Sequence, residues 1–206
     1  MAKHELECRA LDVLLSLQAD PDYGLQFPLD ASRVAEFLGI DVVWDQLPAD
    51  DIGPLAARIL PLERLIEINE AVLTAPAGFG ESTLAHEIGH WVLHIDRDAV
   101  ARLERLQGCG VAVSAAPFLC RNATELQGLE WQAQYFAGCL LMPRHELVAR
   151  CGDRDLTQWP QLYALAAELG VTISNLTHRL GDLGWIALAP DSRQLAPGPL
   201  ASTRSD

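Results

Sequence analysis

The sequence predicts an α+β domain, on three observations. Runs with helical periodicity occupy most of the chain, short runs with strand character interrupt them, and an HExxH pentapeptide falls on a helix that is apolar almost all round. Residues 1–18 mix Lys3, His4, Glu5, Glu7, Arg9 and Asp12 among leucines. That is an amphipathic helix, without the uninterrupted apolar run of a secretory leader. After a loop over 19–28, Asp30 or Ser32 can cap a helix through Val34, Ala35, Phe37 and Leu38, stopped by Gly39. A strand is expected at 40–44. Residues 48–61 are broken by three prolines and a glycine, and 65–69 alternates, Ile66 and Ile68 facing one way and Glu67 and Asn69 the other. A loop with Pro76, Gly78 and Gly80 then leads to Ser82 or Thr83 as the cap of a helix over about 84–95. The pattern breaks at 108–121, and a long helix over 125–142 is ended by Pro143. Helix at 161–169, a turn at Gly170, helix at 174–183 and a strand at 185–188 complete the pattern, and a disordered tail is expected over 190–206. The expected organisation is a helix and loop (1–27), a core (28–150) with an insertion (96–124), a C-terminal helical subdomain (151–189) and the tail.

Composition narrows the function. The chain has 206 residues, 50% apolar and 21% charged, so it can bury a core. Its apolar runs are shorter than the roughly 18 residues of a membrane span. Fifteen Lys and Arg against 28 Asp and Glu give a net charge of −13, which repels a phosphate backbone and argues against general nucleic-acid affinity. Five cysteines, Cys8, Cys109, Cys120, Cys139 and Cys151, without any CxxC, are expected to be reduced thiols in a cytoplasmic protein.

The chemistry concentrates at His86-Glu87-Ile88-Gly89-His90. Residues i and i+4 of a helix differ by about 40° around the axis and about 6 Å along it, so both imidazoles can grip one ion, and Glu87 projects beside it. Leu84, Ile88, Trp91, Ala85, Gly89 and Val92 surround this wedge, making the helix central. Two buried histidines and a glutamate are costly there without a partner, and a divalent metal satisfies all three. His94 continues the stripe, but about 9 Å further along the axis from an ion at the level of Ile88. It is expected behind the ligands or in packing. The third ligand should come from another helix. Glu130 is the best candidate, because Ala133 and Ala137 follow at i+3 and i+7 and allow close helix approach; Glu125 is second.

These pieces resemble the ImmA/IrrE family of gluzincin-like metallopeptidases, whose members read HELGHxxLH and then ExxAxxFAxxLLMP. This chain reads HEIGHWVLH from His86 and EWQAQYFAGCLLMP from Glu130, with further likeness at 28–30, 34–40, 66–69, 171–174 and 179–184. The resemblance implies a compact zincin-like (minigluzincin) fold with a small mixed sheet, a central HExxH helix and a C-terminal helix-turn-helix-like segment. It implies Zn2+ held by His86, His90 and Glu130, with Glu87 as general base. The implied activity is that of a zinc endopeptidase that cuts a helix-turn-helix repressor, in transcription regulation and stress response. Glu81-Ser82 stands where members commonly carry Arg-Phe, and the 96–124 insertion suits a lid or substrate-selecting loop. Tyr135, His94 and His145 are open candidates for stabilising the oxyanion. Strand 65–69 is the expected edge for an extended substrate.

Two other classes compete: a DNA-binding or partner-binding regulator with a structural metal, and a catalytically silent member. Residues 161–183 resemble a helix-turn-helix, yet Asp153, Asp155, Glu168 and Asp182 outweigh Arg154 and Arg179 in that region, whereas a recognition helix needs a basic footprint.

Overall fold

The computed structural model describes residues 1–49, 54–114, 118–120, 127–188 and 194–203, with the backbone alone at 118–120, 127 and 203. Side chains alternate across a strand, so Ile66 and Ile68 of β3 (Leu65–Asn69) both point into the core and are fully buried. β1 (Asp41–Asp45) runs parallel to β3 on one side, and β2 (Ala57–Leu60) antiparallel on the other, with Ile59 opposite Ile66. β4 (Phe118–Cys120) pairs with β2, so the sheet order is β1-β3-β2-β4. This corrects the expectation for 65–69: β3 lies inside the sheet, and the edges are β1 and β4. The misreading has a simple cause. β2 is hidden between Pro54 and Pro61 and too short to show a period.

Asn69 sits at the end of β3 as a staple. Its amide donates to the Leu47 and Leu55 carbonyls at 3.0 and 2.9 Å, and its carbonyl oxygen accepts from Ala71 N–H. Two loops are thereby tied to the strand end.

The helices stack beneath the sheet. α1 (Lys3–Ala19) buries Leu6, Ala10, Val13, Leu14 and Leu17. α2 (Ala31–Phe37) is capped by Asp30, which accepts from Ser32 and Arg33 N–H. α3 (Phe79–Leu93) packs against β2 and β3 on one side and α5 (Gln127–Leu141) on the other, and α1 covers the back of α5. Sandwiched in this way, α3 is buried from Leu84 through Val92. α3 begins five residues before the expected start, because Gly78 at φ +83° forms its cap. Ser82 and Thr83 donate instead to the Gly78 and Phe79 carbonyls within the helix.

α4 (Arg97–Gly108), capped by Asp96, fills the first part of the insertion; 115–117 and 121–126, with Glu125, lie outside the described residues. Pro143 ends α5 as expected and at once precedes α6 (Arg144–Cys151), which the sequence reading missed. α7 (Trp159–Leu169) and α8 (Ile173–Asp182) meet at Gly170, φ +65°, with Thr172 capping α8. The expected disordered tail is corrected in part: β6 (Leu195–Pro197) pairs with β5 (Ile186–Leu188), and Ala201–Thr203 forms a 3-10 turn. Among the described residues no helix is long and apolar enough to cross a membrane.

Gly78 also joins α3 to the α7–α8 turn, since a Cβ there would lie 2.6 Å from the Val171 carbonyl carbon and 2.7 Å from the Gly170 oxygen. Both the clash and the left-handed φ penalise a side chain. Gly78→Ala should therefore cost about 1–3 kcal/mol, lowering the melting temperature by several degrees; an unchanged melting temperature would contradict this account of the junction.

Candidate metal centre

A second close approach builds the site. A Cβ on Gly89 would sit 3.0 Å from the Ala133 oxygen, 3.1 Å from its Cα and 3.3 Å from its Cβ, tighter than ordinary contact with backbone that cannot step aside. Only glycine facing alanine lets α3 and α5 come this near. The small-residue stripe after Glu130 thus has the use the sequence suggested. Ala133 and Ala137 are buried, and Glu130 reaches across to α3.

His86 Nε2 lies 3.0 Å from Glu130 Oε2, His90 Nε2 lies 3.0 Å from His86 Nε2, and His90 Nε2 lies 3.4 Å from Glu130 Oε1. Ligand atoms bound at about 2.0–2.1 Å to one tetrahedral ion are about 3.3 Å apart, so this spacing suits a single ion. Two imidazoles and a carboxylate, converging from two helices, can hold a metal. Glu87, beside His86, is fully buried.

Ionisation suits the same purpose at two of the three groups. Burial opposes charge on Glu130, but hydrogen bonds from His86 and His90 outweigh it and hold the carboxyl at about 2. At His86 burial also opposes charge; the Glu130 hydrogen bond and the fields of Glu87 and Glu130 prevail, and its pKa rises. At His90 burial, aided by the neighbouring His86, leaves the pKa lowered, so at neutral pH its ring is uncharged. Ionised carboxylate and neutral imidazole are the forms that bind metal, so Glu130 and His90 are in the ligating direction, whereas a proton held on His86 is displaced when an ion binds.

His94 is not part of the trio; its Nδ1 lies 2.9 Å from His90 Nδ1, on the far side of that ring from Nε2. Of the other oxyanion candidates, Tyr135 directs its hydroxyl to Glu7 at 3.4 Å, and His145 stands edge-on to Phe27. Neither contact faces the trio. Tyr135 belongs to a cluster that ties α1 to α5 and α8. Arg179, only 3% exposed, pairs with Glu7 at 2.8 Å and donates from Nε to the Met142 carbonyl, while its guanidinium lies over the Tyr135 ring. Burial in this cluster pushes the Tyr135 hydroxyl and the Cys139 thiol up to about 12. The other cation of the C-terminal helical subdomain (151–189), Arg154, is bound to Glu168 at 2.7 and 2.9 Å.

Beside His86 and Glu130 opens a cleft of about 750 Å³. Phe79, Tyr163, Ala166, Val171 and Ile173 form much of its wall. The sequence reading did not select this wall, because α7 and α8 are brought to the site by contacts between distant parts of the chain, the Gly78–Gly170 junction and the Asn175–Ser82 hydrogen bond among them. One member had a readable signal: Gln134, four residues after Glu130 and hence on the same helix face, lines the cleft and hydrogen-bonds His86. Glu81 and Ser82, at the departure from the family pattern, are also explained. The Glu81 carboxylate accepts Ala31 N–H at the start of α2, and Ser82 accepts from the Asn175 amide of α8.

A family model for the IrrE N-terminal-like domain, peptidase M78, matches residues 35–181. The chain belongs to the IrrE N-terminal-like peptidase family. No curated protein matches it. Its fold is similar to that of a solved Mycobacterium tuberculosis transcriptional regulator, with a TM-score of 0.53 and 19% identity over 92% of this chain and 49% of that one. The chain spans about half the length of that protein. The HExxH helix and the α5 glutamate both fall inside the family match.

Elemental analysis of purified protein should find about one divalent ion per chain in wild type and none in His86→Ala or Glu130→Ala; an ion retained in Glu130→Ala would remove Glu130 from the ligand set. Gly89→Val, which pushes α5 away while changing no ligand residue, should weaken metal binding by at least tenfold in a competition titration. Undiminished affinity would show that helix spacing does not set the site.

Proposed function

We propose that this protein is a zinc-dependent endopeptidase of the ImmA/IrrE type that cuts a protein partner, a helix-turn-helix repressor, at one or a few sites. The convergence of His86, His90 and Glu130 beside a cleft large enough for peptide side chains carries this proposal, with the family membership behind it. Zn2+ suits a set of two imidazoles and one carboxylate better than the all-oxygen set that calcium or magnesium prefers. When bound, such an ion supplies Lewis acidity, polarising a scissile carbonyl and acidifying water.

The chain's own residues do the rest. Glu87, buried beside His86, accepts the proton of the attacking water on a carboxylate oxygen and later delivers it to the leaving amine. Phe79, Tyr163, Val171 and Ile173 exclude water and receive apolar side chains. Edge strand β4 gives an extended substrate a backbone to pair with. Cys120 of β4 stands opposite Ala57, next to Ala56 in the cleft wall, so this edge, rather than β3, runs at the level of the site. A net charge of −13 favours encounter with a basic DNA-binding protein, at a rate that falls as salt rises. Both cations of the C-terminal helical subdomain (151–189), Arg179 and Arg154, are engaged internally, by Glu7 and Glu168, which favours the protease over the DNA-binding alternative.

Wild type and Glu87→Gln should be incubated with a co-encoded repressor and with an unfolded control protein, and the fragments read by mass. The expected result is discrete cleavage of the repressor by wild type, a loss of 10²-fold or more in Glu87→Gln with metal content unchanged, and little cutting of the control. An intact repressor under zinc-replete conditions, or indiscriminate digestion of the control, would overturn the proposal. Activity of Glu87→Gln within a few-fold of wild type would exclude Glu87 as base.

A further inference from the structure

α3 carries three histidines on one stripe, and only two of them enter the metal trio. His94 closes the C-terminal end of the helix, half-buried, its ring centroid 5.0 Å from that of His90 and tilted by 53°. The closest atoms are the two Nδ1 nitrogens, 2.9 Å apart. Two imidazole nitrogens at that distance attract only when one carries the proton and the other a lone pair. Which one is which follows from the site. His90 presents Nε2 to His86 and Glu130; when Nε2 serves as a metal ligand it must be bare, and the His90 proton then resides on Nδ1. His94 Nδ1 is then the acceptor, and its own proton lies on Nε2. On the other helix, the Gln132 side chain of α5 is the neighbour that favours a proton on His94. Gln132 lies two residues from Glu130, so the helix that supplies the carboxylate also supplies this neighbour of His94.

Resting on the metal site assigned above, we propose that His94 is a positioning residue. It accepts the Nδ1 proton of His90 and so fixes both the tautomer and the ring plane that present Nε2 to the metal, with Gln132 fixing His94 in turn. A ligating histidine whose other nitrogen is tied in this way binds metal more strongly, and loss of such a partner typically weakens affinity by about 10- to 100-fold. Packing alone would ask only for bulk at position 94.

The full-length protein and its variants His94→Leu, His94→Gln and Gln132→Leu should be compared by Zn2+ affinity in chelator competition, by the visible spectrum of the Co2+-loaded protein and by thermal unfolding of the metal-free forms. His94→Leu keeps bulk but cannot accept the proton; it should bind Zn2+ at least tenfold more weakly and shift the Co2+ bands. His94→Gln retains a carbonyl oxygen able to accept from Nδ1 and should recover most of that loss. Gln132→Leu should weaken binding a few-fold. Should His94→Leu not fold, His94→Gln and Gln132→Leu still decide: near-wild-type affinity in the first with measurable loss in the second supports the proposal. Unchanged affinity and spectrum in His94→Leu, or His94→Gln no better than His94→Leu, would overturn it. Wild type that binds neither ion would overturn the metal site itself, a failure visible before any variant is compared.

Discussion

The approach of α3 to α5 at Gly89 and Ala133 is the constraint on which the rest depends. A helix pair held apart by ordinary side chains, at 8–10 Å between axes, has room for a layer of side-chain carbon between backbones. Here that layer is absent on one side, and the space saved lets a carboxylate from one helix meet two imidazoles from the other. The sheet above and α1 below act as a clamp. The sheet packs on α3 from one side with Ile59, Ile66 and Ile68 buried, and α1 covers α5 from the other with Leu6, Ala10 and Leu14 buried. Core packing thus converts into positional accuracy at the site, as close-packed interiors transmit small displacements rather than absorb them.

The polar groups enclosed by that clamp would be a burden if each stood alone, since burying an unpaired charge or imidazole is expensive. They are instead grouped so that each offsets another. Glu130 keeps its charge because His86 and His90 solvate it, and His90 stays neutral because it is buried beside His86. A second polar group, Glu7 with Arg179 and Tyr135, lies on the other face of α5 and closes α1 and α8 around it. One helix therefore carries a metal-competent face and a structural ionic face, separated by the buried stripe through Ala133, Phe136, Ala137 and Leu140.

Much of this was legible in the sequence where a single helix wrote it. The HExxH spacing, the burial of its helix, the stop at Pro143 and the cap at Asp30 follow from local periodicity and local chemistry. Glu130 was legible because small residues at i+3 and i+7 announce a close neighbour without naming it. What escaped depends on distant parts of the chain. β2 has four residues between two prolines and acquires its identity only by pairing with β3 and β4. The inner position of β3 is invisible until both partners are placed, and the cleft wall from α7 and α8 is brought to the site by distant contacts such as Gly78 with Gly170 and Val171, and Ser82 with Asn175. Gly78 itself looked like loop; its left-handed cap moved the start of α3 forward and turned two presumed caps, Ser82 and Thr83, into residues bonded inside the helix.

The central claim is that one metal ion bridges the two helices through three named atoms. A crystal structure of the zinc-loaded protein, with anomalous data collected at the zinc edge, tests it most directly. A single peak about 2.0–2.2 Å from His86 Nε2, His90 Nε2 and a Glu130 oxygen, with His94 outside bonding distance, is the expected result. A peak bound by another set of residues, or a zinc-replete crystal with no peak between α3 and α5, would contradict it.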